Sequence, residues 1–316
     1  MNYRKRKRPP LWYVPILLTT APRLIRAKNK GKYETAMRLG KKILGSPLVK
    51  KRAFGSYHTD HHDVFVCTYA KSGTYWTMQI VTQLANRGEG NFAHIHDWVP
   101  WPDFPVDDVV LLKEPTWQHT PTGKRAIKTH LEAEFVPYSD EASYLVIMRD
   151  PKDVILSSFY FSDSIIPGLS SIGIEAWLDA FINNKSPYGS WPEHIAGYWK
   201  WRDRANVEIF TFNQMKRNLA ETIGKMDALI GTELSRTELE KVLARSEFSA
   251  MKAEEEKFLP PTPPGIDRSS LVLLRQGQSG EGKSVLSPEQ CERVDRSMKD
   301  QLEALGSDFP YDSFFG

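Results

Sequence analysis

The segment from Lys71 to Thr74 places a cation, two hydroxyls and a glycine directly after an apolar run of the chain. A glycine lets the backbone approach an anion, and the N–H groups at the start of a helix can bind it. The lysine and the threonine add a charge and a hydroxyl at the same place. The pattern predicts a phosphate-binding loop, although the lysine precedes the glycine and the Walker order is therefore absent. Taken alone, these four residues fit an ordinary strand-to-helix turn equally well.

The elements expected around this loop are a buried strand and a helix. The strand is predicted over residues 63 to 69, and a helical face begins just past Gly73, at Thr77, Ile80, Val81 and Leu84. Similar apolar runs predict three further strands, near residues 125 to 129, 144 to 149 and 207 to 212. The sequence therefore predicts an α/β fold: a three-layer domain with a central parallel sheet and a P-loop-like phosphate-binding loop.

An arginine lies at the end of the third predicted strand. Arg149 follows the apolar run Tyr144 to Met148, and Asp150 and Pro151 have the residue types of an N-cap and a first helical position. An arginine at the carboxyl end of a parallel strand faces the ligand crevice, where its planar fork matches a phosphate. The alternative is a salt bridge to Asp150 or Asp153.

Four segments, in order along residues 54 to 315, resemble the cytosolic-type sulfotransferase family. Lys71-Ser-Gly-Thr-Tyr-Trp76 resembles the family's loop for the 5′-phosphosulfate end of 3′-phosphoadenosine-5′-phosphosulfate (PAPS). Ile127-Lys-Thr-His-Leu131 resembles the strand end that carries the catalytic histidine. The stretch from Tyr144 to Ser157 resembles the element that holds the 3′-phosphate. Arg275-Gln-Gly-Gln-Ser-Gly-Glu-Gly-Lys283 resembles the loop that closes over the same phosphate.

The resemblance implies that PAPS is the co-substrate. The implied donor-binding residues are Lys71, Ser72, Gly73, Thr74, Tyr75, Trp76, Arg149, Ser157, Phe212, Phe248, Arg275, Gln276 and Gly277. Trp76 is the expected stacking face for adenine, with Phe212 and Phe248 nearby. Any of these rings could instead be ordinary core.

The catalytic residues that the resemblance implies are His130, Lys71 and Lys128. A neutral imidazole can take the proton of a hydroxyl, so His130 is the expected general base. The two ammonium groups would stabilise the negative charge that grows during sulfuryl transfer. No metal is expected, because these cations supply the positive charge. For His130 the alternative is a strand-end histidine bound to a backbone carbonyl, and for each lysine it is a solvated surface position.

The sequence departs from the family pattern at five positions of the donor site. The usual proline before the loop lysine is Ala70, and the second threonine of the loop is Tyr75. In the late loop Gln276 replaces a lysine and Gly282 replaces a tryptophan, so that one charge and one aromatic wall are missing. Phe212 replaces a tyrosine and loses its hydroxyl.

The expected acceptor is a hydroxyl or an amine of a small molecule or a lipid. Trp98, Trp101 and Phe104 lie in an irregular segment of the kind that lines the acceptor pocket in this family, and they suggest an apolar acceptor. The sequence defines neither the acceptor nor the oligomeric state. The net charge of +3 does not indicate a nucleic-acid binder, and two cysteines suggest a reducing, cytoplasmic setting.

The first fifty positions are rich in basic residues and contain a single acidic one, Glu34. We expect a basic N-terminal arm and helix over residues 1–52 and a sulfotransferase domain over residues 53–316, with a helix at about residues 32 to 44. The apolar run Leu11 to Leu18 is too short to span a bilayer. An arm of this composition could rest on an anionic membrane surface, while a mobile solvated tail is the alternative.

Two other functions fit parts of the sequence. One is a catalytically silent sulfotransferase-like module that docks on a membrane through its basic arm. The other is an atypical P-loop kinase, which the missing Walker lysine and the lack of an obvious acidic magnesium ligand disfavour. His58, His61 and His62 lie near Asp60 and Asp63 in a polar turn, but their spacing matches no defined metal site.

Overall fold

The computed structural model describes residues 3–104, 107–165, 168–261 and 271–316. Its strands are β1 Asp63–Thr68, β2 Arg125–Thr129, β3 Ser143–Met148 and β4 Val207–Thr211. The first nine helices are α1 Val14–Asn29, α2 Tyr33–Leu44, α3 Pro47–Arg52, α4 Thr74–Ala85, α5 Pro151–Ile165, α6 Gly173–Ile182, α7 Trp191–Trp199, α8 Phe212–Arg217 and α9 Leu219–Ile230. The remaining helices are α10 Arg236–Ser246, α11 Phe248–Ala253, α12 Glu281–Val285, α13 Pro288–Ala304 and α14 Tyr311–Phe315.

The four strands form one parallel sheet in the order β2-β1-β3-β4. Val66 in the central part of β1 pairs with Lys128 of β2 and with Leu145 of β3. The predictions of an α/β fold and of these four strands are confirmed, with bounds that differ by at most about one residue from the predicted ones.

The core lies on both faces of the sheet. Every residue of β1, β2 and β3 is buried, as expected for parallel strands with helices on each side. On one face Phe65 and Tyr144 pack with α5, α6, α7 and α13, and on the other Val64 and Leu145 pack with α4, α9 and α10. This arrangement confirms the three layers.

Parallel strands bring their carboxyl ends to one edge of the sheet, and the candidate residues gather there. The loop from Tyr69 to Gly73 follows β1, His130 follows β2, Arg149 follows β3 and Phe212 follows β4. The sheet topology therefore places segments that are far apart in sequence around one crevice.

The opposite edge of the sheet contains a buried ion pair that the sequence analysis did not identify. Asp63 pairs with Arg125 in the β1–β2 register, and its Oδ1 accepts a 2.8 Å hydrogen bond from the guanidinium. Arg125 also donates to the carbonyls of Leu112 and Glu114, at 3.0 and 2.6 Å. The pair ties the sheet to the segment before β2.

The N-terminal region is more ordered than a mobile tail. The predicted helix near residues 32 to 44 is α2, but the apolar run from Leu11 also leads into α1, which was not predicted. Residues 3–6 lie along residues 108–116, and Arg4 pairs there with Glu114. Lys5 pairs with Asp97, which precedes that segment. Both arm residues are thus bound to the body of the protein. Among the described residues, no helix is long and apolar enough to cross a membrane.

Candidate active site

One cavity of about 1230 Å³ lies at the carboxyl edge of the sheet. All the predicted site residues but one line it, namely Lys71, Gly73, Thr74, Tyr75, Trp76, Lys128, His130, Arg149, Ser157, Phe212, Phe248, Arg275, Gln276 and Gly277. The exception is Ser72, which is fully buried behind the wall with its Oγ unpaired among the described residues. The structure therefore brings the catalytic and the donor-binding candidates together.

The loop after β1 has the backbone of an anion site. Lys71 has a φ of 68° and Gly73 a φ of 96°, and a positive φ is uncommon for a lysine. Such a strained backbone is found preferentially at functional sites. A Cβ on Gly73 would lie 2.9 Å from the Phe212 ring. Both the positive φ and this close approach therefore favour glycine at position 73. Helix α4 starts directly behind the loop, and its first-turn N–H groups lack intrahelical acceptors.

Three cations crowd the same part of the cavity. Burial, together with the charges of Arg149 and Arg275, lowers the pKa of Lys71 to about 7. The Lys71 ammonium lies 4.0 Å from the centroid of the Phe161 ring and donates to the carbonyl of Leu273 at 3.4 Å. These contacts do not supply a full negative charge. Arg275 pairs with Glu281, and the charge of Glu255 partly offsets the lowering of the Lys71 pKa, but all three cations line the cavity. The cluster would therefore favour an anionic ligand.

Arg149 is held by groups on both sides of the crevice. Its guanidinium donates to the carbonyls of Lys71 and Gln278, both at 2.9 Å, and lies 3.7 Å from the Asp153 carboxylate. It also stacks over the Phe212 ring at 4.3 Å. The ion pair with Asp153, given above as an alternative to phosphate binding, is thus present, although its distance is long for a salt bridge. Arg149 also lines the cavity.

Aromatic rings form one end of the cavity. The rings of Trp76 and Phe212 meet edge to face at 5.5 Å, and the Trp76 indole donates to the carbonyl of Ser246 at 2.7 Å. Phe248 is 39% exposed and packs against Gly277, where a Cβ would come within 2.4 Å of its ring. Trp76 and Phe248 offer flat surfaces on which a purine can stack, whereas Phe212 is buried and its ring is covered by Arg149.

The geometry of His130 determines which of its nitrogens can act as a base. Its Nδ1 lies 2.8 Å from the carbonyl of Thr68, and a carbonyl can only accept, so Nδ1 carries the hydrogen. The lone pair is therefore on Nε2. Burial and the neighbouring Lys128 hold the pKa of His130 well below its usual value, so that the ring is neutral at physiological pH. The contact with a backbone carbonyl, given above as the alternative to a base, is therefore present, and it leaves Nε2 without the hydrogen.

Lys128 is enclosed by two aromatic residues. Its ammonium lies 3.2 Å from the centroid of the Trp101 ring and 4.3 Å from that of Tyr75, and it donates to the Tyr75 hydroxyl at 3.1 Å. The Tyr75 hydroxyl in turn contacts Nε2 of His96 at 3.2 Å. The bulky residue that replaces a threonine in the loop thus directs its phenol to Lys128. Burial holds the pKa of Lys128 well below its ordinary value, although Asp103 opposes this shift.

Asp103 is a site residue that the sequence analysis missed. It is buried at the cavity wall, and its Oδ2 accepts the backbone N–H of His130 at 2.9 Å. Burial raises the pKa of Asp103 to about 6, against the opposing effects of that N–H and of Lys128. In the sequence, the one feature that pointed to Asp103 was its place between Trp101 and Phe104, which were expected to line the acceptor pocket. Both of these residues line the cavity. Trp98, assigned to the same pocket, is not among the residues that line the cavity and packs instead against the core, where its ring meets that of Phe92.

The late loop is tied to the start of α5 through Asp153. The backbone N–H groups of Gly280 and Gly282 donate to the two oxygens of this carboxylate, at 3.0 and 2.8 Å. A Cβ on Gly282 would lie 2.4 Å from the backbone carbon of Lys152. No side chain fits there, so the aromatic wall expected from the family pattern is replaced by direct contact between two backbones.

We expect Gly282→Ala to destabilise the protein by about 1 to 3 kcal/mol, because the clash is with backbone that cannot rotate away. Urea unfolding measures the effect. Gly224→Ala is the matched control: a Cβ there meets nothing within 4 Å, and alanine is the better helix former. A Gly282→Ala variant as stable as the wild type would show that the two backbones are not in contact.

The histidine-rich turn near β1 places Asp60, His61 and His62 within 4.8 Å of one another. The ring of His62 is already engaged, since it stacks on Trp117 at 3.6 Å and its Nδ1 contacts the carbonyl of Gly123 at 2.6 Å. The group lies at the amino edge of the sheet, away from the cavity.

The cavity at the carboxyl edge of the sheet thus joins the glycine-containing loop, three cations and His130. The sequence matches the sulfotransferase domain over residues 61–306, so the chain belongs to the sulfotransferase family. Rat (Rattus norvegicus) sulfotransferase 2B1 is 28% identical over 257 residues, which cover 79% of this chain and 73% of that protein. Rabbit (Oryctolagus cuniculus) amine sulfotransferase is 28% identical over 262 residues, or 78% of this chain and 82% of that protein. The predictions of the family and of a sulfotransferase enzyme are confirmed.

Solved structures show the same fold. Mouse sulfotransferase SULT7A1, complexed with PAP, superposes with a TM-score of 0.61 at 22% identity over 82% of this chain and 91% of that one. Retinol dehydratase, in complex with androsterone and the inactive cofactor PAP, superposes with a TM-score of 0.63 at 19% identity over 80% and 84% of the two chains.

Proposed function

We propose that this protein transfers a sulfuryl group from PAPS to a hydroxyl or an amine of a small-molecule or lipid acceptor, with His130 as general base. The observation that carries the proposal is the cluster of Lys71, Arg149 and Arg275 on the wall of one cavity, where burial, together with repulsion from the two arginines, lowers the pKa of Lys71 to about 7. A bisphosphate would relieve that repulsion. The similar structures that contain PAP support the choice of this anion.

The chain's own residues suggest how the donor would lie. The loop from Lys71 to Thr74 and the start of α4 would hold the 5′-phosphosulfate. Arg149, Ser157 and the late loop from Arg275 to Gly277 would hold the 3′-phosphate, and the rings of Trp76, Phe212 and Phe248 would hold adenine. Ser72 belongs to the same loop but lies behind the cavity wall, and its Oγ has no hydrogen-bond partner among the described residues.

The proposed reaction is a direct in-line transfer. The acceptor oxygen or nitrogen forms a bond to sulfur while the bond from sulfur to the bridging phosphate oxygen breaks. Nε2 of His130 takes the acceptor proton, and the products are the sulfated acceptor and 3′-phosphoadenosine-5′-phosphate (PAP). Lys71 and Lys128 stabilise the negative charge on the bridging and sulfuryl oxygens. Asp103, through the His130 N–H, positions the base.

The acceptor end of the cavity is predominantly apolar. Phe104, Leu169 and Trp177 are apolar residues of the cavity wall, and we assign them to the acceptor end. Residues 53–316 would be the catalytic domain, while α1 and α2 of residues 1–52 extend the wall through Leu17 and Met37. An acceptor with a long apolar body suits this cavity, as do the androsterone and retinol of the similar structures. We place the protein in the cytoplasm, with its basic N-terminal region in peripheral contact with a membrane.

The test is calorimetric titration with PAP at several pH values, with ATP as the control ligand. Protonated Lys71 binds phosphate, so above pH 7 each binding event must take up a proton. We therefore expect affinity for PAP to fall as pH rises from 7 to 9, by up to about tenfold per pH unit, since one pKa unit is about 1.36 kcal/mol. Weak or absent PAP binding, or tighter ATP binding, would contradict the proposed donor.

Lys71→Arg is the matched variant for this titration. Arginine keeps its charge throughout the range, so its affinity for PAP should not change between pH 7 and 9. If the variant shows the same pH dependence as the wild type, a group other than Lys71 takes up the proton.

A further inference from the structure

Helix α1 has an apolar stripe on its outer face. Leu11, just before the helix, and Leu18 and Ile25 within it are spaced by seven residues, which places them on one side. They are 90%, 70% and 53% exposed. Three exposed apolar side chains on one side of a helix form a candidate contact surface.

The charges around this stripe have a single sign. The first 33 residues contain ten lysines and arginines and no aspartate or glutamate. Arg4 and Lys5 are used internally by Glu114 and Asp97, but Lys7, Arg8, Arg23, Arg26 and Lys30 are exposed. An apolar stripe with basic flanks is complementary to an anionic lipid surface, where the apolar groups enter and the cations meet headgroups.

The same helix borders the cavity of the active site. Leu17, Ala21 and Leu24 face the cavity, and the exposed residues Leu18 and Ile25 also belong to its wall. The stripe therefore forms a rim of the opening. A membrane in contact with α1 would therefore lie next to the cavity that His130 also lines.

We propose that α1 docks on anionic membranes and that the acceptor, a lipid with a hydroxyl group and an apolar body, enters the cavity past Leu18 and Ile25. The second part rests on the proposed sulfuryl transfer, whereas the first does not. The surface is α1 itself rather than the tip of the arm, because Arg4 and Lys5 are already paired. Docking at this rim would let the apolar body of the acceptor pass from lipid to cavity without crossing water.

The experiment is co-sedimentation of the full chain with vesicles of phosphatidylcholine alone or with about 30% phosphatidylserine. We expect at least about tenfold stronger binding to the anionic vesicles, and weaker binding as salt shortens the Debye length. Leu18→Asp/Ile25→Asp and, separately, Arg23→Gln/Arg26→Gln should each reduce the binding about tenfold. Leu305→Asp is the control. Leu305 directly follows α13 and is 42% exposed, and this variant should bind the vesicles as the wild type does.

Several results would overturn the proposal. Equal binding to both kinds of vesicle, or wild-type binding by both double variants, would remove α1 as the docking surface. Self-association of the wild type that the Leu18→Asp/Ile25→Asp variant abolishes would show that the stripe meets a second copy instead. PAP titration of each variant reports on folding and on the donor site. In the wild type, PAP binding without vesicle binding rejects the docking proposal, while vesicle binding without PAP binding rejects the proposed function. A double variant that keeps PAP binding and loses vesicle binding supports the docking proposal.

Discussion

His130→Ala is expected to lower kcat by about 10² to 10⁴-fold, because it removes the only proposed acceptor of the hydroxyl proton. The affinity for PAP should change less than about twofold, since His130 contacts Thr68 and Asp103 rather than the donor loop. Steady-state rates with PAPS and a titration with PAP measure the two effects. Near-normal turnover would remove His130 from the mechanism.

Two comparisons make this test specific. His58→Ala changes an exposed histidine outside the cavity and should leave kcat unchanged. The pH profile provides the second comparison: burial and Lys128 hold the pKa of His130 well below its usual value, so the base stays neutral as pH falls. We therefore expect kcat at saturating PAPS to be the same at pH 7.5 and at pH 6.5. A loss of half the rate at about pH 6.5 would indicate an unperturbed histidine.

Asp63→Asn is expected to destabilise the protein by about 3 to 5 kcal/mol. The substitution leaves the guanidinium of Arg125 in the protein interior without its carboxylate, and an unpaired buried charge is costly. The side chains of the two residues are 0% and 5% exposed, so water cannot replace the lost partner. Urea unfolding measures the change in the free energy of unfolding.

A surface pair provides the control. Glu240 accepts from Arg236 at 3.1 Å, but both side chains are exposed, and Glu240→Gln should change the free energy of unfolding by less than about 0.5 kcal/mol. The double variant Asp63→Asn/Arg125→Met should be more stable than Asp63→Asn alone, because it also removes the buried charge. If Asp63→Asn costs no more than the surface variant, the buried pair does not stabilise the sheet edge.

The sequence alone determined the elements that carry the donor loop. The run before Tyr69, the glycine at position 73 and the helical spacing after it are local signals, and the structure has strand β1, a positive φ at Gly73 and helix α4 in that order. The Asp150-Pro151 start of α5 is equally local, because the aspartate side chain accepts the N–H of Lys152 two residues on. The parallel order of the strands then brings the loop, His130 and Arg149 to one edge.

Only the tertiary structure decided how the side chains around the base interact. Tyr75 reaches Lys128 across 53 positions, and Asp103 reaches the N–H of His130 across 27. Neither contact follows from spacing, because each depends on how separate segments pack above the sheet. The place of α1 at the cavity rim has the same origin. Its own sequence predicts an apolar run with basic flanks, but which face stays exposed is determined by packing against α2 and the cavity wall.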